Sequence, residues 1–231
     1  TAIVVTQRPI FLHATNPSKV QHGLTGFNFL EIQGLRLFET KFFEIVEFPK
    51  SCDAVVITSQ KTVLWLSKRR DWCELVRKRP VYVVGLHTED ALQEINIHSV
   101  VTVRDGFSSL IPHLDTFRSG LLLCGEHLAQ PTRTWMENNP YWTSLTVYRQ
   151  EVIQTVSPIL WNKVHVVLAT SPRILDRFTE LGIPKTMMIL TLGETTQQHA
   201  YSLGFSNVYI GSKGSILQTC RWFVQNWDTL L

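Results

Sequence analysis

The sequence predicts an α/β protein with two similar parallel-sheet domains of flavodoxin or Rossmann-like type, joined by a two-stranded connector, with a cleft between them. Three observations predict it. A buried strand ending in Thr-Ser occurs twice, at Asp53–Ser59 and at Val164–Ser171. Each copy is followed by an apolar strand that runs into Gly-x-x-Thr, first at Val81–Thr88 and then at Met188–Thr196. Each of those leads through a helix to one more β-rich run, Ser99–Val103 and Asn207–Ile210. Short apolar strands alternating with helices imply parallel sheets with right-handed crossovers.

Taken in order, Ala2–Thr6 is apolar and closes on Thr6-Gln7-Arg8-Pro9, so it reads as a strand entering a turn. Residues 17–32 have helical spacing, although Gly23 and Gly26 weaken the interior. Residues 35–48 interleave aromatic and β-branched residues with charges, which suits a long exposed strand ended by Pro49. The first Thr-Ser strand follows, then a helix over about 61–78, the first Gly-x-x-Thr strand and a helix over about 88–96. Residues 107–118 carry apolar spacing at 107, 110, 111 and 114 and read as a helix. Gly120–Gly125 reads as a buried strand, 132–138 as a short polar helix, and 144–155 as a second extended, alternating strand. The two exposed strands serve as connectors. The predicted domains are therefore 1–35 with 153–231, forming one discontinuous unit, and an inserted 46–145, with 36–45 and 146–152 connecting them.

Composition excludes several classes. The chain of 231 residues is 44% hydrophobic and 18% charged, with no apolar run near the length of a membrane span. Its N-terminus lacks the charged and apolar regions of a signal peptide, which points to a cytoplasmic protein. The four cysteines at 52, 73, 124 and 220 form no C-x-x-C pair and read as reduced thiols. The eight histidines show no metal-ligand spacing. A net charge of +3 falls short of a nucleic-acid surface but favours a small polyanion. Lys68-Arg69-Arg70 and Arg77-Lys78-Arg79 read as solvated helix faces.

A hydroxyl residue where a parallel strand enters a helix caps that helix and leaves first-turn N–H groups facing outward, which favours anions. Ser59, Thr88, Ser171 and Thr196 are predicted to build four such turns, with Gly85 and Gly193 keeping the backbone approachable. Arg8, Lys61, Arg149 and Arg173 lie beside these motifs, Arg149 pointing away from Tyr148 if the strand alternates.

The combination resembles the uroporphyrinogen-III synthase family. The residues that carry the resemblance are Thr6-Gln7-Arg8-Pro9, Ile57-Thr58-Ser59, Val83-Val84-Gly85 with Thr88, Ala91 and Leu92, and Tyr148 in the returning connector. Thr170-Ser171-Pro172, Leu192-Gly193 with Thr196, and Ala200 with Leu203-Gly204-Phe205 complete the set. Glu89 and Gln197 stand where the family usually has alanine, and residues 10–45 match poorly, which marks a divergent member.

The resemblance implies a linear tetrapyrrole substrate, hydroxymethylbilane, with eight carboxylates and a terminal hydroxymethyl group. The enzyme closes it with inversion of ring D and loss of water, through azafulvene and spiro intermediates. No cofactor, metal, nucleic acid or membrane is implied; a monomer with transient hand-over from hydroxymethylbilane synthase is. Such chemistry needs a flexible chain held in one fold and a proton donor at the departing hydroxyl. Tyr148 is the implied catalytic residue, since a phenol carries its proton at neutral pH. Arg8, Ser59, Lys61, Gly85, Thr88, Ser171, Arg173, Gly193 and Thr196 are the implied substrate-binding residues. The alternative is a non-catalytic two-domain binding protein, like a periplasmic solute receptor, against which the missing signal peptide counts. A nucleotide-sugar transferase is a third possibility, for which the chain is short and has no nucleotide fingerprint.

Overall fold

The structure, a computed structural model, describes residues 8–211 and 214–231. In chain order its strands and helices are β1 (Ile10–His13), α1 (Pro17–Gly23), β2 (Glu31–Gly34), β3 (Phe38–Phe42), β4 (Val55–Ile57), α2 (Gln60–Ser67) and α3 (Arg70–Arg77). Next come β5 (Val81–Val84), α4 (Leu86–Glu94), β6 (Val101–Val103), α5 (Ile111–Leu114), β7 (Gly120–Gly125), α6 (Gln130–Asn138) and β8 (Trp142–Val152). The chain ends with β9 (Val164–Ala169), α7 (Pro172–Glu180), β10 (Met188–Thr191), α8 (Glu194–Ser202), β11 (Val208–Ile210), α9 (Ile216–Gln225) and α10 (Trp227–Leu230).

Two compact units result. One joins the N-terminal segment through Phe38 to Val152–Leu231, and the other is Glu39–Glu151. The first holds a five-stranded sheet in the order β11-β10-β9-β1-β2, with all four pairings parallel. Its central strands β1, β9 and β10 are buried on both faces, so successive residues feed different layers. Val166 and Leu168 pack with Phe11 against α1 and α9, while Val167 and Ala169 pack with Leu12 against α7 and α8. Phe11 and Phe223 meet edge to face, with ring centroids 5.4 Å apart.

The second unit holds a six-stranded sheet, β3-β8-β7-β4-β5-β6. The pairings from β8 to β6 are parallel. Val55, Ile57, Leu121 and Leu123 face α2 and α3, and Ala54, Val56, Leu122 and Cys124 face the opposite layer with Trp135 and Trp142. All four cysteines are buried and none is disulfide-bonded. Among the described residues no helix is long and apolar enough to cross a membrane.

Several expectations need correction. The strand expected at 2–6 lies outside the described residues; the first described strand, Ile10–His13, follows the Thr-x-Arg-Pro motif. The helix expected over 17–32 ends at Gly23; Gly26 then takes a left-handed φ of 78° and the chain turns into β2. The long strand expected over 35–48 is regular only over Phe38–Phe42. Beyond it the chain is pinned to the second unit's helical layer by Trp65 Nε1, which donates to the Phe43 carbonyl, and by Arg69 Nη2, which donates to that of Ile45. The helix expected over 61–78 is broken at Lys68-Arg69 into α2 and α3. The segment 107–118 forms only a 3₁₀ turn and the single-turn α5. The helices α9 and α10 were not expected from the sequence.

Candidate functional site

In the second unit the chain runs β4, β5, β6, β7, β8, yet β7 and β8 lie on the far side of β4. The direction of strand addition thus reverses between β4 and β7, and ligands of parallel sheets bind at the carboxyl ends of the strands at such a point. Ser59 follows β4 there. Its backbone is extended, and its Oγ accepts the Lys61 N–H at 3.1 Å, capping α2. Tyr148, on β8, reaches across the end of β7 and donates its hydroxyl to the same Oγ at 3.0 Å. The Lys61 ammonium lies 5.9 Å from the centre of the Tyr148 ring. Tyr148, Ser59 and Lys61 are therefore one cluster. Tyr148 and Ser59 are half-buried and Lys61 is exposed.

Gly85 and Thr88 lie one strand further along the same rim. Here the capping expectation fails. The N-cap of α4 is Gly85, with a φ of 94° that a side chain would strain, and no side-chain cap is made. Thr88 sits inside the first turn and is buried, 5% exposed. The first unit repeats the contrast. Ser171 caps α7, accepting the Ile174 N–H at 3.3 Å, with Pro172 at the first helical position. Gly193 caps α8 without a side chain, and Thr196 is buried in the first turn. Ser171 and Gly193 follow neighbouring strands, β9 and β10, and a cavity of ≈ 490 Å³ is lined there by Thr170, Gly193, Glu194 and Thr196. Arg173, two residues past the cap, stacks over the Phe38 ring at 4.4 Å.

Charge separates the two kinds of turn. The Ser-capped helices α2 and α7 have no acid in their first turn and carry Lys61 and Arg173. The Gly-capped helices α4 and α8 carry Glu89 and Glu194. A cation in a first turn opposes the helix dipole, whereas an acid there complements it.

One candidate falls away from this rim, and another is engaged beside it. Arg8 precedes β1, at the start of the parallel strands, and donates to the Asn28 carbonyl at 3.0 Å. Arg149 pairs with Glu151 and lies over Phe43. The turn that does follow β1 is Ala14–Asn16. Asn16 caps α1 by accepting from Ser18 and Lys19, with Pro17 behind it, a start signal the sequence reading passed over. His13 ends β1, is 1% exposed, accepts the Thr15 N–H at Nδ1, and is held below its ordinary pKa by burial. Gly125, at the end of β7, was also missed.

Among the described residues no three His, Cys, Asp or Glu side chains gather to hold a metal ion.

A model of the family described as uroporphyrinogen-III synthase HemD matches residues 27–216. Among solved structures, the chain is similar to a uroporphyrinogen-III synthetase from Helicobacter pylori, at 16% identity over 95% of this chain and 99% of that one, with a TM-score of 0.70. It is also similar to a mutant uroporphyrinogen III synthase from the extremely thermophilic bacterium Thermus thermophilus, at 14% identity over 96% and 99%, with a TM-score of 0.62. At such identities the likeness concerns the fold. No curated protein matches the chain.

Proposed function

The chain belongs to the uroporphyrinogen-III synthase family and is a cyclising lyase of porphyrin biosynthesis; we propose that Tyr148 is its proton donor and that the turns after its parallel strands hold the substrate's carboxylates. The observation that carries this reading is the phenol of Tyr148 held on the Ser59 turn, at the switch point of its sheet and beside Lys61.

Hydroxymethylbilane brings acetate and propionate arms, and the turns bring N–H groups. The Ser59 and Ser171 turns add Lys61 and Arg173, and are the stronger anion sites. The Gly85–Thr88 and Gly193–Thr196 turns offer backbone N–H groups without a cation and suit arms that need positioning more than charge. Holding several arms fixes the fold of a flexible chain, which converts a choice between two closures into one.

Tyr148 then gives its proton to the terminal hydroxyl, which departs as water and leaves a protonated azafulvene. The substituted α-carbon of ring D attacks, the spiro intermediate fragments, and the macrocycle recloses with ring D reversed. The final rearomatisation releases a proton, which returns to the phenolate. Ser59 Oγ accepts the phenol's hydrogen before the transfer; once that hydrogen has gone, the serine hydroxyl turns its own O–H to the phenolate and stabilises it between those steps. Free substrate closes by itself at the unsubstituted carbon to the type I isomer, which favours hand-over directly from hydroxymethylbilane synthase.

The test is an isomer assay. Hydroxymethylbilane is generated in situ, the protein is added, and the oxidised products are separated by chromatography. Type III product is expected. Type I product alone, from a folded sample, would overturn the reading and leave a binding protein on this scaffold.

A further inference from the structure

The two strands that carry Tyr148 and its neighbour do not keep step. Cys124 on β7 pairs with Thr146 on β8, but Gly125 pairs with Tyr148, so Val147 is an extra residue. A bulge of this kind bends a strand and re-aims the side chains beyond it. Leu145 and Val147 pack into the core beneath α2 and α3, and regular alternation would send Tyr148 to the opposite layer. After the bulge Tyr148 packs against the same core as Val147, and its ring crosses the end of β7 towards Ser59.

What the ring crosses is Gly125. A Cβ there would stand 2.6 Å from Tyr148 Cζ and 2.8 Å from both Cε2 and the phenol oxygen. The Tyr148 backbone is tied, its carbonyl accepting the Glu126 N–H at 3.1 Å, so the ring is the part that must yield. Gly125 has no left-handed φ to account for it. Its missing side chain is explained by the ring above it.

We propose that Gly125 is a positioning residue for Tyr148: together with the bulge at Val147 it sets the phenol on the Ser59 turn, a role that rests on Tyr148 being the proton donor. The test uses the whole chain labelled with 3-fluorotyrosine. There are five tyrosines, and the ¹⁹F resonance missing from Y148F is that of Tyr148. G125A is expected to shift this resonance and leave the other four in place. It is expected to lower kcat at unchanged KM, by the same factor as Y148F, with no further loss in G125A/Y148F. An unmoved Tyr148 resonance overturns the proposal. So does an equal loss from G125A in both backgrounds, since alanine would then act without the phenol. If the resonance moves while Y148F keeps the wild-type rate, the proton-donor reading fails and the hold of Gly125 on the ring stands. Should G125A not fold, G125A/Y148A decides. Recovery of folded protein identifies the ring as the obstacle, and continued failure shows that β7 itself needs the glycine, which overturns the proposal.

Discussion

Ser59 Oγ receives two hydrogens with different purposes: the Lys61 N–H, which caps α2, and the Tyr148 hydroxyl. Ser59→Ala removes the acceptor for both. The lost cap is expected to cost about 1 kcal/mol of stability, and the phenol loses its anchor, so Tm and kcat fall together. Ser59→Thr keeps the oxygen and is expected to spare both. Tyr148→Phe separates the two effects: kcat falls on the order of 10²-fold, while the melting curve moves little. Wild-type turnover in Y148F would remove Tyr148 from the mechanism. The two serines were legible as caps because a Ser ahead of a helix is a local signal. Thr88 and Thr196 were misread because the real caps are glycines three residues earlier, and the threonines are buried inside the first turn. The strand after Pro9 was not expected, because the motif at Arg8 resembles the end of a strand and not the start of one. The aim of Tyr148 was not legible at all, since a bulge exists only between two paired strands.

α4 is fastened to β6 by Glu89, one of the two departures from the family's alanines. Its carboxylate accepts from Thr102 Oγ1 at 2.7 Å and from Gln93 Nε2 at 3.1 Å. Burial pushes its pKa up, but hydrogen bonds from Ser99, Thr102 and Gln93 outweigh that and hold it below the usual 4.5. A depressed carboxyl pKa gives stability that is complete above the unfolded value and lost as pH falls through the folded one. The Tm advantage of wild type over Glu89→Ala is therefore expected to be constant from neutral pH down to about 4.5 and to vanish in stronger acid. An advantage that grew in acid would refute this. The Ser-capped helices yield a different prediction. Lys61→Ala and Arg173→Ala are each expected to raise KM for the octacarboxylate several-fold without changing kcat, and to weaken its dependence on salt. Strand β7 was read to the residue because Gly120 and Gly125 bracket an unbroken apolar run. The break between α2 and α3 was not, since Lys68-Arg69 suits a helix locally and only packing stops it there. α9 left a readable trace, buried Thr219, Cys220 and Phe223 at helical spacing, which the doubled motifs drew attention away from.

Across the whole molecule, the doubled buried strands were enough to reveal two parallel α/β sheets, because strands covered on both faces need that architecture. Which strands neighbour one another was not legible: β1 joins β9 and β7 joins β4, so each sheet is completed between strands distant in the chain. Four buried thiols report on the two units separately, Cys52, Cys73 and Cys124 in Glu39–Glu151 and Cys220 in the other. Burial pushes Cys124 up to about 11 and Cys220 up to about 12, so the native protein is expected to react slowly with thiol reagents. Along a urea titration read by mass spectrometry, Cys220 is expected to be labelled first, because its sheet closes across the whole intervening unit. Simultaneous labelling of all four would mean that the units unfold as one. The same pairing of β1 with β9 imposes an order of birth. On the ribosome β1 emerges together with α1 and β2, but its other edge must wait while all of Glu39–Glu151 is translated before β9 is made. While that unit is being made the nascent chain therefore trails an apolar strand with one open edge, and that edge is where a chaperone at the exit tunnel would find its first client.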